Sequence, residues 1–333
     1  MQKSIKYTEG VGIPHKTFED EFLSHRKCSE WWYSTGYFTD ENGKMYTYQY
    51  TLANVKILGI RMHMLLTSIT DLENQKHYYT QDFSLFGKGV RTDQTETSFG
   101  DKGVIKYTAD DNSKLGHMHL SMKTKNYTFQ AELKSTKKPV WHCEDGKLQM
   151  GIQNDPKEQT YYFSLTNLML NGILTLEGQE HRIKGKAWYD KQGGTYSLTN
   201  YKTNWEWFSL RFFDDEEIML FYFPQNEYKD GTYININGDY ERLNNYSIEI
   251  DELIVEKTTN YKFSNGWKIH LPHIKETDYI LKPKISGQFN VFFFELLADI
   301  IDTSGNLVGY CFVELLPGAR NKKIHSSLAF KKN

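Results

Sequence analysis

One aspartate of the sequence follows closely on a tryptophan in a strand-like segment. Asp190 ends the run Gly185-Lys-Ala-Trp-Tyr-Asp190. Residues two apart on a β-strand share a face, so Trp188 and Asp190 point the same way. In a dry interior, loss of hydration keeps a proton on such a carboxyl near neutral pH. This pair suits the addition of water to an alkene, because the acid protonates the double bond and the indole steadies the cation.

A structural role for Asp190 is the alternative. Gly193 and Gly194 follow the aspartate, and paired glycines favour a tight turn. Such a turn would place Asp190 at the rim of a barrel, where ligands enter. It would also let the carboxylate cap the end of the strand, and the sequence leaves both roles open.

A second carboxylate opens the run Glu30-Trp-Trp-Tyr33. Alternation puts Glu30 and Trp32 on one face of a strand and Trp31 and Tyr33 on the other. Glu30 is a candidate for acid–base chemistry, although a salt bridge at the start of the strand is the commoner role. We expect one of the two tryptophans to line a cavity. For Trp32 we favour an anchor at the base of a barrel, with cavity lining second.

A histidine is the third candidate catalytic group. In Arg61-Met-His-Met-Leu65, alternation places His63 beside Arg61 and Leu65, and it leaves Met62 and Met64 on a face that we interpret as core. His63 could act as a base or orient water, or it could simply meet solvent. Gln49 is either a polar contact in a cavity or a solvent-facing residue. The candidate substrate contacts are Trp31, Trp32, Tyr48, Gln49, Trp188 and Gln192.

Several classes of site are not supported by the sequence. The histidines show no HExxH or other close metal spacing, so we expect no metal. The three cysteines are widely spaced and favour small buried side chains over a disulfide framework. No glycine-rich phosphate motif occurs, and 40 basic residues against 42 acidic ones argue against a nucleic-acid surface. We therefore expect no cofactor and no nucleic-acid partner.

The elements that must position these residues are β-strands. Aromatic residues make up 15% of the chain and favour pleated, half-buried surfaces. Residues 14–28 are the one candidate for a short helix. Strand patterns cover Met45–Leu52, Tyr127–Leu133, Tyr161–Leu165, Ile218–Phe223 and Phe292–Ile301. Turn signals lie at Asp40–Gly43, Glu144–Gly146, Asp230-Gly231, Asn237-Gly238 and Asp302–Gly305.

Two sequence echoes suggest an internal repeat. The run that starts at Trp32 resembles the run that starts at Trp207, with Phe38 matching Phe213. Gly185–Asp190 resembles Gly309–Glu314, each with glycine, an aromatic residue and an acid at the same spacing. We predict an all-β protein of two tandem lipocalin-like antiparallel β-barrels packed against each other, with domains at residues 1–196 and 197–333.

The ordered motifs resemble one known family. Glu30–Gly36, Tyr161–Ser164, Gly185–Asp190, Trp205–Leu210 and Gly309–Leu315 are similar, in this order, to the carotenoid 1,2-hydratase lipocalin-like family. The resemblance implies tandem lipocalin-like barrels. It also implies an enzyme of the hydratase, isomerase or pericyclase kind, acting on a terpenoid, prenylated or polyketide-like molecule. Lys191-Gln-Gly-Gly194 and Phe294-Glu-Leu296 depart from the family pattern and put a carotenoid substrate in doubt.

Two functions from different classes follow. The first is a cofactor-independent acid–base enzyme that acts on an apolar small molecule, with Asp190, His63 and Glu30 as catalytic candidates. The second is a non-catalytic carrier of an apolar ligand, as lipocalins are. A buried Asp190 favours the enzyme, whereas an exposed one favours the carrier. We expect a cytoplasmic monomer or homodimer with no integral membrane segment, since no long apolar run occurs.

Overall fold

The structure is a computed structural model. It describes residues 7–8, 22–25, 28–57, 60–110, 113–152, 154–196, 205–257, 260–272, 274–275, 278–285, 288–290 and 293–316. These residues form strands and turns, with no α-helix among them and no helix that could cross a membrane. Most of the helix candidate at 14–28 lies outside the described residues. The all-β prediction is confirmed.

The strands are numbered in chain order. They are β1 Tyr7–Thr8, β2 Ser24–His25, β3 Ser29–Asp40, β4 Met45–Ile57, β5 Ile60–Asp71, β6 Lys76–Leu85, β7 Val90–Thr92, β8 Glu96–Phe99, β9 Gly103–Asp110, β10 Ser113–Lys123, β11 Tyr127–Ser135, β12 Val140–Trp141, β13 Lys147–Gln149, β14 Gln159–Leu176, β15 Gln179–Thr195, β16 Glu206–Phe212, β17 Glu217–Phe223, β18 Tyr228–Ile234, β19 Tyr240–Leu243, β20 Ser247–Ile250, β21 Leu253–Val255, β22 Lys262–Ser264, β23 Trp267–His270, β24 Asp278–Pro283, β25 Phe289–Asn290, β26 Phe293–Ile301 and β27 Leu307–Leu315.

The chain divides into two compact units. The first unit comprises residues 1–147 and 159–195. Its main sheet is antiparallel, runs in the order β6-β5-β4-β3-β15-β14-β11-β10-β9-β8-β7, and curls into a near-closed barrel. Strand alternation fills the interior, and in β11 every second residue from Tyr127 to Ser135 is buried. The inner side chains of these strands form one aromatic and aliphatic core, called here the first core.

The second unit comprises residues 148–158 and 196–333. Its antiparallel sheet runs in the order β19-β18-β17-β16-β27-β26-β24-β23-β20 and also forms a near-closed barrel around its own core. The prediction of two antiparallel lipocalin-like barrels is therefore confirmed. The three cysteines are buried, and none of them forms a disulfide.

The internal repeat is real, but one of its sequence alignments is wrong by one residue. Gly185 pairs with Phe38, and Gly309 pairs with Phe212, so the strand pairing matches Phe38 to Phe212. Phe213, the match expected from sequence, is 53% exposed. A one-residue shift on a strand moves a side chain to the opposite face. Accordingly Trp32 belongs to the first core, whereas Trp207 lies on the face of its strand that points away from the core of its barrel.

Two predicted turns are strands instead. Gly193 and Gly194 lie inside β15, paired with Glu30 and Ser29 of β3. A Cβ on Gly193 would lie 2.6 Å from the Cβ of Glu30, so the glycine permits a close approach between strands. Asp230-Gly231 likewise lies inside β18. Asp190 is therefore five residues inside the end of a 17-residue strand and not at a rim turn.

The long β14–β15 hairpin carries the site. It turns at Glu177-Gly178, which have φ angles of 51° and 85°. This left-handed pair is the geometry that a two-residue hairpin requires. Its pairing places Ser164 opposite Asp190 and Tyr162 opposite Gln192. Strand β3 then pairs with the other edge of β15.

Candidate active site

The sequence candidates separate onto two faces of the same strands. Glu30, Trp32, Tyr48 and His63 share the face of the first core. The other candidates lie together on the opposite face, and they are Trp31, Gln49, Trp188, Asp190 and Gln192. All of these except the half-buried Trp31 are buried, which corrects the expectation of a solvent-facing Gln49.

Three side chains donate hydrogen bonds to the buried carboxylate of Asp190. Its Oδ2 accepts a hydrogen bond from the hydroxyl of Tyr162 at 3.0 Å. Its Oδ1 accepts one from the hydroxyl of Ser164 and one from Nε1 of Trp188. Only 4% of the residue is exposed. Trp188 and Asp190 therefore share a face, as strand alternation predicts.

A histidine that sequence reasoning did not select completes this arrangement. Nε2 of His142 lies 2.7 Å from the Ser164 hydroxyl oxygen. The imidazole also lies against Tyr162, with ring centres 4.3 Å apart, and runs nearly parallel to the indole of Trp188 at 6.3 Å. Burial lowers the pKa of His142 to about 3, so the ring is neutral at physiological pH.

Hydrogen-bond donation fixes the tautomer of His142. A serine hydroxyl has one hydrogen, and Ser164 donates it to Asp190. Nε2 of His142 must therefore donate to Ser164, which leaves a lone pair on Nδ1. Nδ1 is buried and finds no hydrogen-bond partner among the described residues. Asp190, Ser164 and His142, called here the relay, thus form a hydrogen-bonded chain that ends in a free basic nitrogen.

Local pairing explains how His142 reaches the relay. The short strand β12 pairs with β14, with Val140 opposite Ser164. Trp141 turns to the inner face and packs on Phe163, with ring centres 5.0 Å apart. The next residue, His142, must then point to the opposite face. Its backbone N–H donates to the carbonyl of Tyr162 at 3.2 Å and fixes the ring beside the serine.

On the inner face, Glu30 is held in an ion pair. Nζ of Lys191 lies 2.6 Å from Oε2 of Glu30 and 3.7 Å from the centre of the Trp32 ring. The backbone N–H of His25 and the side chain of Asn54 also donate to the carboxylate, at 2.9 and 3.0 Å. Burial alone would raise the pKa of Glu30, but the charge of Lys191 and the bonds from His25 outweigh it and lower the pKa to about 2. Glu30 is therefore an ionised structural partner and holds no proton near neutrality.

The sequence pattern suggested that Met62 and Met64 face the core and that His63 faces away from it. The structure shows the reverse. His63 is fully buried beside Leu65, while Met62 and Met64 are partly exposed. Period-two alternation defines two faces, but it does not say which face is inside. Burial, with a smaller effect from Arg61, lowers the pKa of His63 to about 4. The structure brings His63 near Glu30 and places neither of them on the Asp190 face.

One set of side chains in the described chain has converging metal-ligand atoms. It comprises Asp40, Glu41 and His181, which are respectively buried, exposed and half-buried. Oδ1 of Asp40 already accepts the backbone N–H groups of Asn42 and Lys44, both at 2.9 Å. This carboxylate therefore orders the turn between β3 and β4, which is sufficient to explain its position.

Comparison with known proteins places the chain in a family. Residues 14–318 match the family described as AttH-like. The chain belongs to the AttH-like family. This assignment confirms the resemblance that the ordered motifs indicated. In sequence the chain is similar to kievitone hydratase of Fusarium solani subsp. phaseoli, with 23% identity over 232 residues, which is 67% of this chain and 58% of that protein. The chain thus spans less than two thirds of the length of that relative.

Two solved structures share the fold of this AttH-like chain. An AttH protein of Nitrosomonas europaea has a TM-score of 0.79 at 18% identity, covering 92% of this chain and 98% of that one. Kievitone hydratase of Nectria haematococca has a TM-score of 0.71 at 20% identity, covering 96% and 98%. At these identities the likeness establishes the tandem-barrel architecture.

Proposed function

We propose that this protein is an acid–base enzyme of the hydratase type, which adds water to a carbon–carbon double bond of an apolar molecule or removes it again. The observation that carries the proposal is the relay of Asp190, Ser164 and His142. It is buried, it is hydrogen-bonded from end to end, and it finishes at a nitrogen with a free lone pair. A chain of this kind can accept one proton and return it.

The relay has two forms that differ by one proton. In the basic form Asp190 is ionised, the Ser164 hydroxyl points at it, and Nε2 of His142 carries the hydrogen. When a proton arrives at Nδ1, Nε2 passes its hydrogen to Ser164, and Ser164 passes its own to Asp190. The added proton is thus stored on the carboxyl, and the imidazole stays neutral. That outcome suits a ring whose charged form is strongly disfavoured by burial.

Hydration of a double bond returns the relay to its proton-loaded form and needs no reagent other than water. In the proton-loaded form, Nδ1 gives its hydrogen to one alkene carbon while Ser164 and Asp190 return theirs along the chain. The faces of Trp188 and Tyr162, which lie against the imidazole, steady the cation that forms. Water then bonds to the other carbon and gives its proton to Nδ1, which reloads Asp190. One water is consumed, and the reverse order dehydrates.

The substrate class follows from the surroundings of the relay. Its neighbours are mainly aromatic, and the relatives in sequence and structure include kievitone hydratases. We propose a terpenoid, prenylated or polyketide-like substrate and a reaction that needs no cofactor. The cytoplasmic location stays a prediction.

The test uses kievitone and a panel of prenylated phenols in water enriched in the heavy oxygen isotope. The purified protein should add one labelled oxygen, seen by mass spectrometry. Asp190→Asn keeps the shape but removes the stored proton, so the rate should fall on the order of 10²–10⁴-fold. Ligand affinity should stay within about tenfold, or roughly 1.4 kcal/mol. If the folded protein binds members of the panel but converts none of them, the carrier function is favoured. An Asp190→Asn variant that reacts at the parent rate would disprove the role of Asp190.

A further inference from the structure

One end of the first barrel, where β5 begins and β6 ends, exposes a group of apolar side chains. Strand alternation turns Met62 and Met64 of β5 outward, and the pairing sets Leu85 and Phe83 of β6 opposite them. The two methionines are partly exposed, and the other members of the group are exposed. The group, called here the apolar tip, comprises Ile60, Met62, Met64, Phe83, Leu85 and Phe86.

The contiguity of the apolar tip distinguishes it from ordinary surface residues. Single exposed apolar side chains are common on proteins, whereas a contiguous group of them usually marks an interaction surface. Strand β6 is the last strand in its sheet, so no other strand of the described chain pairs with its outer edge. The apolar tip therefore lies open to a partner.

The most exposed member of the apolar tip is held in place by the backbone. Phe86 is 81% exposed and has a φ of 58°, a left-handed conformation that is unfavourable for a bulky residue. Its N–H donates to the carbonyl of Arg61 at 3.4 Å, and the hydroxyl of Ser84 donates to the carbonyl of Lys88 at 2.6 Å. The chain thus accepts an unfavourable conformation in a fixed turn that presents an aromatic ring to solvent.

The charged residues around the apolar tip are basic. Residues 54–70 and 83–92 contain four basic residues and no acidic one. The four are Lys56, Arg61, Lys88 and Arg91. Arg91 pairs with Asp93 and Glu96. Lys88 is exposed and Arg61 is partly exposed, and within the described chain no carboxylate pairs with either of them. The apolar tip therefore carries positive charge that an anionic partner would neutralise.

A second copy of the chain suits the apolar tip less well than a lipid surface does. Two tips related by a twofold axis would bring Arg61 and Lys88 of both copies together, and like charges oppose such a contact. Asp82, which precedes the tip on β6, is already paired with Lys102. A membrane that contains anionic lipids supplies both an apolar layer for the side chains and negative charge for the cations.

We propose that the apolar tip docks the protein on a membrane surface that contains anionic lipids, with Phe86 entering the layer between the headgroups and the acyl chains. Arg61 and Lys88 add electrostatic attraction to the burial of apolar surface. The contact is peripheral, because it involves only a turn and the ends of two strands. This docking does not depend on the relay or on the proposed hydratase reaction.

Co-sedimentation of the full chain with vesicles tests the docking. The probes are vesicles of phosphatidylcholine alone and of an equal mixture of phosphatidylcholine and phosphatidylserine. The unmodified protein should bind the mixed vesicles, and added salt should weaken the binding because it screens the attraction. Phe86→Asn should bind about tenfold more weakly or worse, since it removes a large apolar side chain from the interface. Asparagine tolerates the left-handed conformation, so this variant should stay folded.

A second variant tests the charge separately. Lys88→Gln should lower the affinity for the mixed vesicles about fivefold and leave any binding to phosphatidylcholine alone unchanged. Ile173→Thr is the matched control, because Ile173 is an exposed residue of β14 near the Glu177-Gly178 turn at the other end of the same barrel. It should bind like the parent. Asp190→Asn should also keep vesicle binding, which separates the docking from the relay.

Three results would overturn the proposal. The first is a folded parent protein that binds neither kind of vesicle. The second is a folded Phe86→Asn variant that binds the mixed vesicles as tightly as the parent does. The third comes from analytical ultracentrifugation without lipid: a dimer that Phe86→Asn separates into monomers would show that a second copy, and not a membrane, covers the apolar tip.

Discussion

Ser164 stands directly opposite Asp190 in the antiparallel pairing of β14 and β15, and its hydroxyl donates to the aspartate. The direction of this hydrogen bond determines which atoms donate and which accept in the rest of the relay. Because the serine hydrogen is used, His142 must donate through Nε2, and its Nδ1 becomes the basic end of the chain. In the proposed reaction, the buried carboxyl of Asp190 therefore exchanges its proton through the imidazole of His142.

The first prediction concerns the end of the relay. His142→Phe keeps a flat ring against Tyr162 and Trp188 but removes both nitrogens. Turnover should fall on the order of 10²–10⁴-fold, while ligand affinity stays within about tenfold. Steady-state kinetics with the substrate found in the isotope assay gives both values. His119→Phe is the control, because the side chain of His119 on β10 is 38% exposed and pairs with Glu132 away from the relay, so its rate should match the parent. Equal losses in both variants would mean that the loss is not specific to the relay, and a His142→Phe variant at the parent rate would mean that the ring nitrogens are not needed.

The middle of the relay makes a separate prediction. Ser164→Ala breaks the path between His142 and Asp190 and leaves a buried nitrogen and a carboxylate oxygen each short of a partner. Unfolding free energy should fall by about 1–3 kcal/mol, and turnover should fall together with that of His142→Phe. Ser164→Thr restores a hydroxyl and should recover much of the rate. A threonine variant as slow as the alanine variant, at parental stability, would show that the hydroxyl carries no proton.

The strand content could be predicted from sequence because local chemistry sets it. The strand predicted at Tyr127–Leu133 lies within β11, and the turn predicted at Asp40–Gly43 is present. Pairing between distant segments is different. Strand β15 pairs with β3 from the far end of the first unit, and no local pattern encodes that choice. The wrong turn at Gly193-Gly194 has this origin, since the glycines serve a neighbouring strand and not a bend.

Local spacing also predicted part of the site, whereas the contacts that depend on pairing between distant segments could not be predicted. Spacing placed Trp188 beside Asp190, and the contact exists. It could not assign the inner face, so His63 and Glu30 were grouped with Asp190 although they lie across the sheet from it. His142 carried no signal, because it comes from a short strand beside a turn and meets Ser164 only in the folded chain. Ser164 itself lay within the family-like run Tyr161–Ser164, whose alternation could have suggested a shared face for Tyr162 and Ser164.

The buried ion pair on the inner face predicts a dependence of stability on pH. The pKa of Glu30 is about 2 in the folded chain against 4.5 in water. A lowered carboxyl pKa gives stability that is present above pH 4.5 and is lost as the pH falls toward 2. The contribution is on the order of 3 kcal/mol. Denaturant unfolding at a series of pH values should show this decline.

Removing the cation should remove that stabilisation. Lys191→Met leaves Glu30 buried without its counter-charge, which should reduce the unfolding free energy by about 3–5 kcal/mol at pH 7. Lys123→Met is the control, since it breaks an exposed pair with Asp101 and should change stability by no more than about 1 kcal/mol. Similar small changes in both variants would show that the inner pair adds nothing beyond a surface contact.

The close approach of β3 and β15 predicts the effect of one methyl group. Gly193→Ala would put a Cβ 2.6 Å from that of Glu30, so the strands must part. Overpacking of this kind typically reduces stability by about 1–3 kcal/mol. Gly43→Ala is the comparison, because its site is open and the only penalty is its φ of 83°. Thermal unfolding should rank Gly193→Ala as the more damaging change. The opposite ranking would mean that Gly193 serves a bend after all.

The last prediction separates His63 from the chemistry. The residue is fully buried next to Leu65, and neither ring nitrogen has a partner among the described residues. A pKa of about 4 in the folded chain, against 6.5 in water, means that unfolding takes up a proton. The resulting penalty is absent above pH 6.5 and grows as the pH falls to about 4, where it is on the order of 3 kcal/mol.

His63→Leu removes this penalty and fills the same space with a side chain that needs no partner. The variant should be at least as stable as the parent at pH 7 and clearly more stable at pH 4.5, as measured by urea unfolding. Turnover should stay within about threefold, since a difference that small corresponds to less than 1 kcal/mol of barrier. A folded His63→Leu protein that is a hundredfold slower would return His63 to the catalytic groups, because a side chain needed only for packing cannot produce that loss at parental stability.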